Sequence, residues 1–84
     1  MSREEIFSLL QDCILSIVPD VSREQIVPDR SLKQLGVDSI DRSDIATALT
    51  EKLGIPISSL EIGKPRDLGT LVEILEGEVL EGLL

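Results

Sequence analysis

The chain has 84 residues, which is the size of one small domain built around a single hydrophobic core. Sixteen acidic residues against eight basic ones give a net charge of −8, and such a surface repels nucleic-acid phosphates. One cysteine and no histidine exclude an internal disulfide and the usual zinc ligand sets. No stretch has the pattern of a signal peptide or a membrane span. We therefore expect a cytoplasmic monomer that binds no metal, nucleic acid or membrane, and whose partners carry basic patches.

The first predicted helix begins at a Ser-x-x-Glu capping box, Ser2 to Glu5, and closes before Pro19. Its apolar stripe repeats at helical spacing through Ile6, Leu10, Ile14 and Ile17. Cys13 lies beside this stripe, with no histidine or lysine near it in sequence to lower its pKa. The sequence therefore predicts an amphipathic helix with a buried, inert thiol.

A long connecting loop is predicted over residues 19–34. Ser22 and Gln25 have the spacing to cap a single turn, and Pro28 interrupts any longer helix. The apolar residues expected to hold the loop against the core are Ile26, Val27 and Leu32. A loop of this length is uncommon in a small domain and is often functional.

The stretch from Leu35 to Ile40 leads into the second predicted helix. Gly36 suits a sharp turn, because it adopts backbone angles that a side chain disfavours. Asp38 and Ser39 are both good N-cap residues for the helix, which runs from Ser39 to about residue 53. Its apolar residues recur at Ile45, Leu49 and Leu53, and Gly54 is the expected C-cap. Ser39 is therefore expected at the mouth of a helix, close to solvent.

Two further helices follow. A capping box at Ser58 predicts a short third helix over residues 59–62. Asp67 is the expected N-cap of the last helix, and the closing residues Leu83 and Leu84 are expected to fray. The core stripe of the last helix is Leu68, Leu71, Val72, Leu75 and Val79.

The predicted fold is all-α, a four-helix bundle with three main helices and a short third helix. No stretch alternates polar and apolar residues with period two, so large strands are not expected. Residues 1–84 are expected to form one domain, and Met1 together with the compact ends favours a stand-alone protein.

Ser39 has three interpretations. It can be a helix cap and nothing more, since serine is a preferred cap in proteins generally. It can be a catalytic nucleophile, but the chain has no histidine, Asp38 is too weak a base at neutral pH, and no Gly-x-Ser-x-Gly motif occurs. It can also be the target of another enzyme. We set self-contained serine catalysis aside and keep the other two interpretations.

The stretch Leu35-Gly36-Val37-Asp38-Ser39-Ile40 resembles the Leu-Gly-x-Asp-Ser-Leu/Ile attachment motif of acyl carrier proteins. The start of the last helix, Asp67-Leu68-Gly69-Thr70-Leu71-Val72, is also similar to that of the family. The resemblance implies that Ser39 carries 4′-phosphopantetheine, transferred from coenzyme A by a phosphopantetheinyl transferase. It further implies a cofactor site that includes Gly36 and Asp38, and a carrier rather than an enzyme.

The family also uses the second helix as its recognition surface for partner enzymes. Taken alone, the polar side of this helix is an ordinary solvated face. In the resemblance, the partner-binding residues are Ile40, Asp41, Arg42, Asp44 and Glu51. Arg42 and Ser43 depart from the Thr-Val pair that is usual in fatty-acid carriers, which argues against simple interchange with the partners of those carriers.

Residues 38–45 are more similar to the Asp-Ser-x-Asn-Arg-Ala-Glu/Asp-Ile pattern of stand-alone polyketide carriers, with Arg42 as the marker residue. Those carriers donate acetyl groups in β-branching cassettes to an enzyme of the hydroxymethylglutaryl synthase type, so the resemblance implies a donor of acetyl or malonyl units. The other implied partners are an acyltransferase and a ketosynthase-like decarboxylase. The alternatives are a carrier for fatty-acid synthesis, a carrier for an aminoacyl group, and a non-carrier helical interaction module in which Ser39 only caps a helix.

Overall fold

Four α-helices make up the computed structural model, which describes residues 1–82. They are α1 (Arg3–Ile17), α2 (Ser39–Leu53), α3 (Ser59–Gly63) and α4 (Leu68–Gly82), with a short 3₁₀ turn at Arg23–Gln25. No strand occurs within the described residues. The predicted all-α bundle of three long helices and a short third one is confirmed, while the expected fraying of Leu83 and Leu84 lies outside the described residues.

The helices begin where their capping residues predict. The Ser2 hydroxyl accepts a hydrogen bond from the Glu5 N–H at 3.2 Å, and the Glu5 carboxylate accepts one from the Ser2 N–H at 3.1 Å. The same reciprocal pair forms at Ser58, where α3 begins. The Asp67 carboxylate accepts a bond from the Thr70 N–H at 2.8 Å. Each cap satisfies a donor that the first turn of a helix leaves unpaired.

The core is aliphatic, in keeping with a sequence that contains one aromatic residue. α1 packs against both α2 and α4, and α2 packs against α3. The largest fully buried side chains are Ile6, Leu10, Ile14, Ile26, Ile45, Leu49, Ile62, Leu68, Leu71 and Leu75. Burying each such side chain stabilises the fold by about 1.5–3 kcal/mol relative to an exposed one. Cys13 is 1% exposed, which confirms its predicted burial, and this burial raises the pKa of the thiol.

The longest helices have 15 residues, which corresponds to about 22 Å at the α-helical rise. Within residues 1–82, none of the helices combines the length and the apolar character needed to cross a bilayer.

The loop between α1 and α2 is packed and hydrogen-bonded along its length. The Ser22 N–H donates to the Gln25 side chain at 2.9 Å at the predicted single turn, and Ile26 is completely buried. The backbone N–H groups of residues 68 and 69, at the start of α4, donate at 2.8 Å to the carbonyls of Arg30 and Pro28. The last helix therefore holds in place the loop that leads to Ser39.

Candidate functional site

The approach to α2 is a tight turn that closes at Gly36. The Val37 N–H donates to the Leu32 carbonyl at 3.0 Å, and the Gly36 N–H donates to the Lys33 carbonyl at 3.1 Å. Gly36 has φ +82°, so this is the Schellman arrangement with glycine in the left-handed conformation. Leu32 and Val37 are both 7% exposed and form its buried apolar pair. The turn anchors one side of the segment in the core and directs the next two residues outward.

Asp38 is the residue that caps α2. Its Oδ1 accepts a hydrogen bond from the Asp41 N–H at 2.8 Å, and its carbonyl accepts one from the Arg42 N–H at 2.9 Å. Ser39 is the first helical residue and is exposed. Among the described residues, its Oγ has no hydrogen-bond partner. Of the two candidate caps in the sequence, the fold uses Asp38 and leaves the Ser39 hydroxyl free.

The surroundings of Ser39 suit a phosphodiester. The N–H groups of Ser39 and Ile40 have no carbonyl one turn earlier in the helix, and the positive end of the helix dipole lies here. Arg42 and Lys64 line a depression of about 310 Å³ next to Ser39. Backbone donors at a helix N-terminus together with two cations form a donor set that an anionic phosphate ester prefers.

Two exposed apolar side chains flank this depression. Ile40, a predicted partner-binding residue on α2, is 72% exposed, and Leu60 on α3 is 75% exposed. The sequence analysis missed Leu60. The pattern that identifies it is its position two residues before the buried Ile62, which places the two side chains on opposite faces of a helix. Together Ile40 and Leu60 give the rim of the site an apolar contact surface.

The predicted partner-binding residues of α2 do not all face the same way. Asp44 and Glu51 are exposed on the polar face, and Asp41 is half-buried. Arg42 instead lies across the end of α3, where a Cβ added to Gly63 would be 2.7 Å from Arg42 Nη1. A side chain at position 63 would require the flexible guanidinium to shift. Arg42 therefore faces the space between α2 and α3, a position the sequence did not predict.

Comparisons with known proteins agree with this geometry. The phosphopantetheine attachment site family matches residues 8–75. The polyketide biosynthesis acyl-carrier-protein AcpK of Bacillus subtilis (strain 168) is 32% identical over 79 residues, covering 94% of this chain and 96% of that protein. The mitochondrial acyl carrier protein of Dictyostelium discoideum is 37% identical over 51 residues, covering 61% of this chain and 42% of that protein.

The fold also matches a solved structure. A chain of the crystal structure of the curacin biosynthetic pathway HMG synthase in complex with acetyl donor-ACP aligns with a TM-score of 0.79 and 27% sequence identity. The alignment covers 92% of this chain and 99% of that chain. The predicted 4′-phosphopantetheine cofactor and the predicted carrier role, as opposed to an enzymatic one, are confirmed by the family match and the AcpK relative. The chain belongs to the phosphopantetheine-binding acyl carrier protein family.

Proposed function

We propose that this chain is the donor carrier of a polyketide β-branching system, with 4′-phosphopantetheine attached at Ser39. The observation that supports this attachment site is that Asp38 and Ser39 have different roles at the start of α2. Asp38 Oδ1 holds the cap bond to the Asp41 N–H at 2.8 Å, so the exposed Ser39 hydroxyl is free to be modified without loss of the cap.

The donor role has separate support. The relative AcpK is a polyketide carrier, and the aligned curacin chain comes from a complex of an HMG synthase with an acetyl donor carrier. Residues 38–45 also resemble the donor-carrier pattern, with Arg42 in the position of its arginine. The proposal includes one carrier domain over residues 1–84.

The attachment needs a base from outside the chain. Ser39 Oγ attacks the phosphorus of coenzyme A that bears the pantetheine, and the P–O bond to the nucleotide 3′,5′-bisphosphate breaks. Because the chain contains no histidine, the hydroxyl proton goes to a base on the transferase. The first-turn N–H groups of α2, with Arg42 and Lys64, then face the new phosphodiester.

The arm, when bound, supplies a terminal thiol on which an acyl group is held as a thioester. The work of the chain itself is to fix the attachment point, and a rigid helix start does so. A tethered acyl group reaches each partner at high effective concentration instead of diffusing away.

The proposed partners are the phosphopantetheinyl transferase, an acyltransferase, a ketosynthase-like decarboxylase and an enzyme of the hydroxymethylglutaryl synthase type. Asp44 and Glu51 project from α2 into solvent, where basic patches on these enzymes can approach. Ile40 and Leu60, both more than 70% exposed, supply apolar contact next to the attachment point.

The test is the intact mass of the unmodified, folded protein after incubation with coenzyme A and a broad-specificity transferase. We expect a gain of one phosphopantetheine in the parent chain and in Ser43→Ala, a matched control that removes another exposed serine of α2. We expect no gain in Ser39→Ala. No gain in the parent chain would contradict the proposal and favour a non-carrier interaction module.

The donor role is tested separately on the loaded chain. We expect a hydroxymethylglutaryl synthase-type enzyme to use the acetyl-loaded protein. Efficient use by fatty-acid elongation enzymes instead, or loading by an aminoacyl-activating enzyme, would favour the two alternative carrier roles.

A further inference from the structure

A second groove, of about 390 Å³, shares Arg42, Gly63 and Lys64 with the depression next to Ser39. Its floor is apolar and buried, and consists of Leu32, Val37, Ile62, Leu68 and Leu71. Its rim is basic, and consists of Lys33, Arg42, Lys64 and Arg66. The groove therefore combines an apolar floor with a cluster of cations, and it adjoins the depression that Ser39 lines.

The rim of the groove is more basic than the chain as a whole. Four of the eight lysines and arginines lie at this groove in a chain whose net charge is −8. Asp67 is the one acidic residue among the described groove residues, and its carboxylate is already bound to the Thr70 N–H at 2.8 Å. Within residues 1–82, Lys33, Arg42 and Lys64 have no carboxylate within ion-pair distance. Arg66 Nε lies 3.8 Å from Asp67 Oδ2, so the groove has one carboxylate against four cations and presents an excess of positive charge.

We propose that this groove binds the carboxylate end of a short dicarboxylic acyl group, of the malonyl class, carried on the arm at Ser39. The inference rests on the proposed function, because it requires the arm to be attached there. A group tethered at Ser39 reaches the groove across the shared border at Arg42, Gly63 and Lys64, and the tether gives it a high local concentration.

The chemistry of the groove selects this occupant. A purely aliphatic acyl chain covers the apolar floor but leaves the cations of the rim without a partner. A free phosphate ion pairs with the cations but leaves the floor uncovered. A short acyl group that ends in a carboxylate satisfies both, with its methylene and thioester over the floor and its carboxylate oxygens among Lys33, Arg42 and Arg66.

The binding is weak and reversible. Lys33 and Arg66 are exposed, and ion pairs in contact with solvent contribute little individually and are screened by salt. Such a site shields the thioester between encounters and releases it when a partner enzyme competes for the arm.

The test compares two acyl groups of the same shape on the same protein. The arm is loaded from malonyl coenzyme A or from isovaleryl coenzyme A, in which two methyl groups replace the carboxylate oxygens. Intact mass verifies each loading, so a failure of the proposed function is recognised before the groove is tested. The readouts are the methyl NMR shifts of Leu68 and Leu71, and the rate of thioester exchange with 2-mercaptoethanol relative to the same acyl group on coenzyme A.

The variant that tests the rim is Lys33→Gln with Arg66→Gln. The matched control is Arg30→Gln with Lys52→Gln, which removes the same charge from exposed residues that do not line the groove. Each exchange rate is expressed relative to the same acyl group on coenzyme A. On the parent and control proteins, we expect this relative rate to be about two- to fivefold lower for malonyl than for isovaleryl, the range that one or two exposed ion pairs support.

In the rim variant, and in the parent at about 1 M salt, we expect this malonyl-specific protection and the accompanying methyl shifts to disappear. Equal protection of both acyl groups in every protein would overturn the role of the cations and leave only an apolar pocket. No protection and no methyl shifts would overturn the inference.

Discussion

Two regions of opposite charge both include residues of α2. One is the acidic face of α2, with Asp41, Asp44 and Glu51; the other is the groove with the basic rim defined above. The acidic side chains follow one another along a single helix and project into or towards solvent. The basic side chains come from the loop, α2 and the segment between α3 and α4, and they converge on a shared space. The net charge of the whole chain, −8, therefore does not reveal that one region is acidic and the other basic.

The charges of the two regions also act over different distances. Charges that face solvent act over about a Debye length and attract partners during their approach. Charges gathered over an apolar floor act at contact, where the dielectric constant is lower. We infer that the acidic face serves the enzymes that visit the carrier and the groove serves what the carrier holds.

The largest effect should come from the floor of the groove. Leu71 is 1% exposed, so Leu71→Ala should lower the free energy of unfolding by about 2–5 kcal/mol. The control is Leu60→Ala on the exposed rim of the site, which should change it by less than about 0.5 kcal/mol. Denaturant unfolding followed by circular dichroism measures both. Similar values for the two variants would contradict the assignment of one leucine to the core and the other to the surface.

Charge reversal should separate the two regions. Asp44→Lys with Glu51→Lys on α2 should lower kcat/KM for the phosphopantetheinyl transferase on the order of tenfold at low salt, because basic docking patches are then repelled. Lys33→Glu with Arg66→Glu in the groove should leave kcat/KM within about twofold of the parent value, since those residues lie off the acidic face. Loading rates by mass spectrometry measure the difference. An equal loss of kcat/KM in both double variants would contradict the assignment of transferase recognition to the acidic face of α2.

The turn at Gly36 supports both regions, because it precedes α2 and because Val37 lines the groove. Gly36→Ala should destabilise the fold by about 1 kcal/mol, since a Cβ is strained at φ +82° although the space around it is open. Gly77→Ala is the matched control in α4, also in open space, and should stabilise by up to about 1 kcal/mol. Thermal unfolding of the two variants tests the prediction, and a stabilising Gly36→Ala would refute it.

The smallest effect should lie outside both regions, between α3 and α4. Burial, followed by a hydrogen bond and charge repulsion from Glu61, raises the pKa of Glu78 to about 7 from 4.5. The folded state therefore holds this proton more tightly than the unfolded chain, so the contribution of Glu78 to stability is fully present below pH 4.5 and is lost as the pH rises through about 7. Solvent screens this partly buried side chain and limits the effect.

Glu78→Gln should remove this pH dependence. Its midpoint of thermal unfolding should exceed that of the parent chain by more at pH 8 than at pH 5. The control is Glu24→Gln, an exposed residue of the 3₁₀ turn, which should leave the pH profile unchanged. Parallel profiles for the parent chain and Glu78→Gln would contradict the raised pKa.

What the sequence predicted well is local. The caps at Ser2, Ser58 and Asp67 each depend on residues three apart, so their spacing alone identifies the helix starts. The core stripes depend on helical periodicity, which is likewise readable along one segment. The exposed position of Ser39 followed from the turn and the helix that flank it.

What the sequence did not predict depends on packing between segments. Lys33, Lys64 and Arg66 carry no common pattern along the chain and come together only when the loop, α3 and α4 are in place. The Arg42 guanidinium occupies space that a side chain at position 63 would need, twenty-one positions later in the sequence. Asp38 and Ser39 were equivalent as candidate caps, and only the geometry of the helix start decides between them.

The bonds from the start of α4 to the carbonyls of Pro28 and Arg30 have a consequence for synthesis. The segment before Ser39 is held by a helix translated about forty residues after it, so it is fixed only after that helix has emerged from the ribosome and docked. A released chain that ends before residue 68 should therefore be a poor transferase substrate compared with the 84-residue chain, which purified fragments can test. If this prediction holds, transfer of the arm to Ser39 would report that α4 has docked.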